Sequence, residues 1–149
     1  DKEAGSFDEF GIRYQIHSPE EELLLWGDPI RLAQMFHCLI KNVLDINVLN
    51  FNGARICETL DIEISFDDTE LIIEFADDGP GVSEDITKQI FDPFFSSHTS
   101  SLGLGLTLSR DIANQHGGSL TFTGEGLEGH GSRFKLALSW RYYGEDSIR

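Results

Sequence analysis

Three glycine pairs stand in the second half of the chain, in Asp77-Asp78-Gly79-Pro80-Gly81, Gly103-Leu104-Gly105-Leu106 and Gly129-His130-Gly131-Ser132. The aromatic cluster Phe91-Asp92-Pro93-Phe94-Phe95 falls between the first two. One such pair says little, because glycine occupies any tight turn without steric cost. Four short motifs in a fixed order constrain the fold far more.

At 149 residues the chain has the size of a single domain and can bury one core without covalent or metal staples. It begins at Asp1 rather than Met, and is read as a piece of a longer protein. No window approaches the ~20 apolar residues of a membrane span and no signal-peptide pattern leads the chain, so no direct membrane contact is expected. Eleven Lys+Arg against 26 Asp+Glu give a formal charge of −15. Such a surface repels nucleic acid and anionic lipid. A polyanionic ligand would have to be held by a divalent cation, helix N-termini and backbone amides. Cys38 and Cys57 share no metal-ligand spacing and read as free thiols of a reducing compartment, in keeping with the cytoplasmic setting that the four motifs imply.

Residues 1–11 are polar and read as a flexible lead-in, and Ile12, Tyr14 and Ile16 alternate as in a strand. Leu23-Leu24-Leu25-Trp26 could add an edge strand. Asp28-Pro29 supplies a helix N-cap and a proline at the first helical position. Leu32, Met35, Phe36, Leu39, Val43 and Ile46 then recur at helical spacing, predicting one long amphipathic helix to about Val48. Residues 50–54 read as a turn. Ile62, Ile64 and Phe66 alternate, and Asp67-Asp68-Thr69 turns the chain into 71–75, predicting a hairpin. Ser83 is expected to cap a short helix ending near Ile90, and 92–102 reads as a serine-rich mobile loop. A helix over 104–116 stops at Gly117-Gly118, and strands follow over 120–123 and 133–138. The sum is an α+β fold, a mixed sheet backed by helices on one face. The domain is expected over 12–140, with a tail at 141–149.

In order and spacing, the four motifs resemble the G1, F, G2 and G3 boxes of the ATP-binding domain of histidine kinases. The wider family includes DNA gyrase, the heat-shock chaperone ATPases and MutL. The resemblance runs from about Ile12 to Leu138 and implies the two-layer α/β sandwich of the Bergerat type, with ATP and Mg²⁺ as cofactors. Asp77 stands at a strand end with Gly79 and Gly81 close behind. A carboxylate there can accept the hydrogen bond of an adenine exocyclic amine, and neither glycine obstructs the base. Those residues alone also fit a polar strand-end turn; the family's first box passes adenine recognition to Asp77. The resemblance adds Val82 and Ile90 to the nucleotide contacts.

Asn42, on the long helix, matches the asparagine whose side-chain oxygen binds Mg²⁺ in the family, and an amide oxygen suits a hard cation. Cys38 lies four residues earlier on the same helix face. In gyrase, MutL and the chaperones a glutamate there acts as general base, and histidine kinases usually carry asparagine. Cysteine fills that role poorly, so the site is expected to hold ATP without hydrolysing it. A small buried thiol on the core side is the other reading of Cys38. Backbone amides of Gly103, Leu104, Gly105 and Leu106 could face phosphate oxygens with a helix dipole behind them. A plain helix-opening turn is the alternative. The loop 92–102 corresponds to the ATP lid, hinged on Phe91, Phe94 and Phe95. The hydroxyl of Ser132, in the last glycine box, is placed to reach Asp77 or a bridging water.

Three departures from the family pattern fall on the phosphate side. His98 replaces a common lid lysine, Asp45 stands where one kinase class has a phosphate-contacting lysine and another has aspartate and so marks a subclass, and Ser101 replaces the leading glycine of the G2 box. Lys41 is expected to be solvated and Arg31 to be structural. No phosphoacceptor is visible among the five histidines. The resemblance therefore implies a domain that donates the γ-phosphoryl group of Mg-ATP to a histidine on a dimerisation domain outside this chain. A response-regulator receiver would be the downstream partner, and the isolated domain is expected to be monomeric. The alternatives are a degenerate nucleotide-binding or regulatory module and an ATPase of the gyrase type.

Overall fold

A computed structural model of the chain describes residues 2–48, 57–93 and 105–139. Alternation of apolar residues dictates the sheet. Ile62 lies opposite Phe75, Ile64 opposite Ile73, Ile73 opposite Leu136, Phe75 opposite Phe134 and Leu120 opposite Leu136. A pleated strand sends every second side chain to one face, so these pairs build one apolar surface. The strands are β1 (Lys2–Phe7), β2 (Ile12–His17), β3 (Thr59–Phe66), β4 (Glu70–Asp77), β5 (Ser119–Gly124) and β6 (Arg133–Ser139). They form a six-stranded sheet in the order β1-β2-β3-β4-β6-β5. Only β2 and β3 run parallel among these neighbours, so the sheet is mixed.

The helices α1 (Pro29–Val48), α2 (Glu84–Thr87) and α3 (Gly105–Gln115) follow the periodicity of the sequence. Asp28 Oδ1 accepts from the backbone N–H groups of Ile30 at 3.0 Å and Arg31 at 3.2 Å, an N-cap ahead of Pro29. Met35, Leu39 and Val43 on α1, with Ile112 and Ala113 on α3, are buried against the apolar side of the sheet. The layers form the α/β sandwich expected from the sequence. The β3–β4 turn is tied by Asp67, whose Oδ1 accepts from Thr69 N at 2.7 Å and Glu70 N at 2.9 Å. Among the described residues no helix is long and apolar enough to cross a membrane.

Three local expectations are corrected. Residues 2–7, read as a flexible lead-in, form β1, which pairs antiparallel with β2 over six residue pairs. Its stability comes from the backbone ladder and from Phe7, whose ring lies 5.0 Å from that of Tyr14, rather than from regular alternation. Residues 23–26 form no strand; Leu23 and Leu25 pack on the core while Leu24 and Trp26 are exposed. The helix after Ser83 is one turn long, and Ser83 serves it through its carbonyl, not its hydroxyl. The turn over 50–54, most of the loop 92–102 and the tail 141–149 lie outside the described residues.

Candidate functional site

Strand β4 carries Asp77 to the point where its ladder with β3 and β6 ends. The side chain is 3% exposed. Its Oδ1 accepts from the backbone N–H of Gly79 at 2.9 Å and of Ser132 at 3.3 Å. Among the described residues Oδ2 takes no hydrogen bond. Burial pushes the carboxyl up to about 6, the two N–H donors oppose that, and the neighbouring Asp78 charge adds to it. One oxygen is thus fixed by the protein, and the other has no partner among the described residues. The contact from Ser132 is made by its amide, where the sequence suggested its hydroxyl.

The glycines around Asp77 are required by close backbone approach. A Cβ on Gly126 or Gly131 would overlap the Asp77 carbonyl oxygen, and one on Gly81 would meet the Gly131 carbonyl oxygen at 2.8 Å. Gly81 and Gly131 also have φ of 77°, the left-handed region that glycine enters freely. The carbonyl of Asp77 accepts from Leu127 N at 3.0 Å, and its amide donates to Ser132 O at 3.0 Å. The first and last glycine boxes therefore fold onto one residue. Gly79 is buried, Val82 packs on the core rim and Ile90 is 6% exposed.

The second group of expected residues lies on α1 and at the start of α3. Cys38 faces Gly105, where a Cβ would sit 4.0 Å from the Cys38 Cβ. Burial raises the Cys38 thiol above its ordinary value, with Lys41 pulling the other way, so it is an uncharged thiol and not a base at neutral pH. Asn42 follows one turn later, half-buried, and its side chain makes no hydrogen bond among the described residues. Asp45 is committed to Lys41, Oδ2 to Nζ at 2.9 Å, and that lysine is 59% exposed. Leu106 packs on the core. His98, Gly103 and Leu104 lie outside the described residues.

Two relationships were not anticipated from sequence. Asp78 Oδ1 accepts from the backbone N–H groups of Glu58 at 2.8 Å and Thr59 at 3.0 Å, fastening the start of β3 to the first glycine box. The doubled aspartate is the only sequence signal for it. Gly126 was likewise overlooked, although Gly124, Gly126, Gly129 and Gly131 crowd eight residues. Arg31, expected to be structural, donates through Nη2 to Gln115 Oε1 at 2.9 Å and joins α1 to α3.

A family model described as histidine kinase-, DNA gyrase B- and HSP90-like ATPase matches residues 27–141. The sensor protein TdiS of Thauera aromatica is 34% identical over 109 residues, which cover 73% of this chain and 20% of that protein. Sporulation kinase E of Bacillus subtilis is 29% identical over 135 residues, covering 91% of this chain and 17% of that one. Among solved structures, the catalytic domain of the histidine kinase ThkA superposes with a TM-score of 0.72 at 23% identity, over 89% of this chain and 83% of that one. The chain belongs to the histidine kinase-, DNA gyrase B- and HSP90-like ATPase family. Within it, the chain is an ATP-binding catalytic domain of the kind carried by sensor histidine kinases. It spans a fifth or less of the length of TdiS and sporulation kinase E.

Proposed function

We propose that this domain holds Mg-ATP and donates its γ-phosphoryl group to a histidine on a dimerisation domain outside residues 1–149, from which an aspartate of a response-regulator receiver takes it. The observation that carries this reading is the carboxylate of Asp77, with Oδ1 fixed by Gly79 and Ser132 and Oδ2 without a partner among the described residues. An adenine amine supplies the N–H donor that Oδ2 lacks. Gly81, Gly126 and Gly131 keep side chains out of the backbone contacts around Asp77, and Val82 and Ile90 offer apolar surface to a base.

Asn42 is the residue assigned to Mg²⁺, since its amide oxygen is a hard donor without a competing partner among the described residues. Phosphate oxygens and water would complete the ion's shell. Gly105 and Leu106, at the opening of α3, offer amides toward the phosphates, and the same role is assigned to Gly103 and Leu104 before them. His98 is assigned to the lid. The nucleotide supplies the reacting group; the protein's part is positioning and charge stabilisation, as is general for phosphoryl transfer. The uncharged Cys38 thiol stands where a hydrolytic relative has its base, which supports donation to an external nucleophile over hydrolysis. We read the domain as monomeric and cytoplasmic.

Calorimetric titration of ATP, with and without Mg²⁺, tests the reading. Binding that strengthens with Mg²⁺ is expected, and no detectable binding would overturn it. With γ-labelled ATP, the parent protein should acquire acid-labile label on a histidine outside this domain. Hydrolysis by the isolated domain that Cys38→Ala abolishes would favour the ATPase alternative.

A further inference from the structure

The second aspartate of Asp77-Asp78-Gly79 has no part in the scheme above, yet it is among the most engaged side chains near the site. Its Oδ1 accepts from Glu58 N and Thr59 N, and its own amide donates to Thr59 O at 3.3 Å. Beside them, Cys57 Sγ donates to Thr59 O at 3.5 Å. Glu58 and Thr59, where the chain enters β3, are therefore gathered by one residue. Cys57 is fully buried, and burial followed by the fields of Asp77 and Asp78 pushes its thiol up to about 12, so it is an inert, uncharged wall of this corner.

Asp77 pairs with Leu60, the residue after Thr59. The same carboxylate that fixes Glu58 and Thr59 thus fixes the strand against which Asp77 is aligned. We infer that Asp78 is a positioning residue for the Asp77 site: its carboxylate locks the start of β3 to the first glycine box, and its negative charge adds to the field around the Asp77 carboxylate. This inference rests on the reading that Asp77 receives the adenine. Asp78 is the charged group whose field reaches Asp77; the Cys57 thiol is the other titratable neighbour, and Gly79 and Ser132 contribute backbone N–H donors.

The two parts of the role separate by substitution. Asp78→Asn keeps an oxygen that accepts both N–H groups and removes the charge, while Asp78→Ala removes both. Carbon-13 NMR titration of the Asp77 carboxyl in the full chain reads the field without any nucleotide. In Asp78→Asn its midpoint should fall, because a like charge that opposed ionisation is gone. Calorimetry with Mg-ATP at neutral pH reads the alignment: Asp78→Asn should stay within about twofold of the parent and Asp78→Ala should bind about tenfold or more weakly. An unmoved Asp77 midpoint in Asp78→Asn, or parental ATP affinity in a folded Asp78→Ala, would overturn the inference. If Asp78→Ala does not fold, the Asn variant still decides through its midpoint. If the parent chain binds no ATP, the proposed function falls while the NMR result continues to judge Asp78.

Discussion

The backbone N–H of Asp28 donates to Nε2 of His116 at 3.0 Å, across 88 residues of sequence. The other ring nitrogen, Nδ1, lies 2.8 Å from the carbonyl of Ile112. A carbonyl only accepts, so the proton sits on Nδ1 and Nε2 is the acceptor. This ring joins the start of α1 to the end of α3, and Gly27 makes room for it, since a Cβ there would come 2.6 Å from His116 Cδ2. Replacing His116 with Ala should remove both bonds and leave a cavity, at a cost of about 2–3 kcal/mol. Urea denaturation measures the loss.

Asp77 should show opposed effects on stability and on ligand binding. Its folded value of about 6 stands above the ordinary 3.8, so the folded state binds more protons between them. The stability it contributes is fully present below the lower value and is lost as pH rises through about 6, on the order of 3 kcal/mol. Asp77→Asn should therefore flatten the pH dependence of unfolding over that window and raise stability near neutrality. The same variant should lose most ATP affinity. In the parent chain, ATP affinity should fall as pH drops below about 6, because a proton then occupies the carboxylate. Calorimetry and urea denaturation across that range measure the two effects.

The glycines differ sharply in what they tolerate. Gly131→Ala places a methyl group onto the Asp77 carbonyl at a φ of 77°, and should cost about 3 kcal/mol or more. Gly11 has a similar φ of 68° but nothing within 4 Å of a Cβ. Gly11→Ala should cost only about 1–2 kcal/mol of backbone strain. Equal losses in thermal or urea unfolding would contradict this ordering.

Phe91 is held from three directions. Thr107 Oγ1 donates to its carbonyl at 2.7 Å, the guanidinium of Arg110 lies 5.0 Å from its ring centroid, and the Phe134 ring meets it edge-on at 6.3 Å. Thr107→Val should cost about 1 kcal/mol and Arg110→Ala about 0.5–1 kcal/mol. The double variant should show coupling in a mutant cycle, since both act on one residue.

The elements legible in the sequence were those whose periodicity a packed core enforces. Met35, Leu39 and Val43 announced α1, and the alternation of Ile62, Ile64 and Phe66 with the turn at Asp67-Asp68-Thr69 announced the hairpin, although Phe66 is exposed in the structure. β1 was not legible, because its backbone ladder with β2 leaves no clear apolar alternation in residues 2–7. Asp77 could be picked out because its motif resembles the first glycine box of the family; a carboxylate ahead of two glycines alone also fits a polar strand-end turn. Asp78 could not, because its partners are amides of Glu58 and Thr59, about twenty positions away, and any residue offers an amide. The Asp28–His116 bond was hidden for the same reason.

The placement of β4 between β3 and β6 has a consequence for how the domain becomes competent. The Asp77 corner takes backbone groups from 57–60 on one side and 126–132 on the other, so its parts come from segments more than sixty positions apart. Such long-range closure is slow relative to helix formation. A nascent or truncated chain ending before Ser132 could form α1 and would keep only the local Gly79 donor on Asp77 Oδ1, without the one from Ser132. If Asp77 receives the nucleotide as proposed, full affinity is a readout of finished assembly, reached once the final strand has joined the sheet.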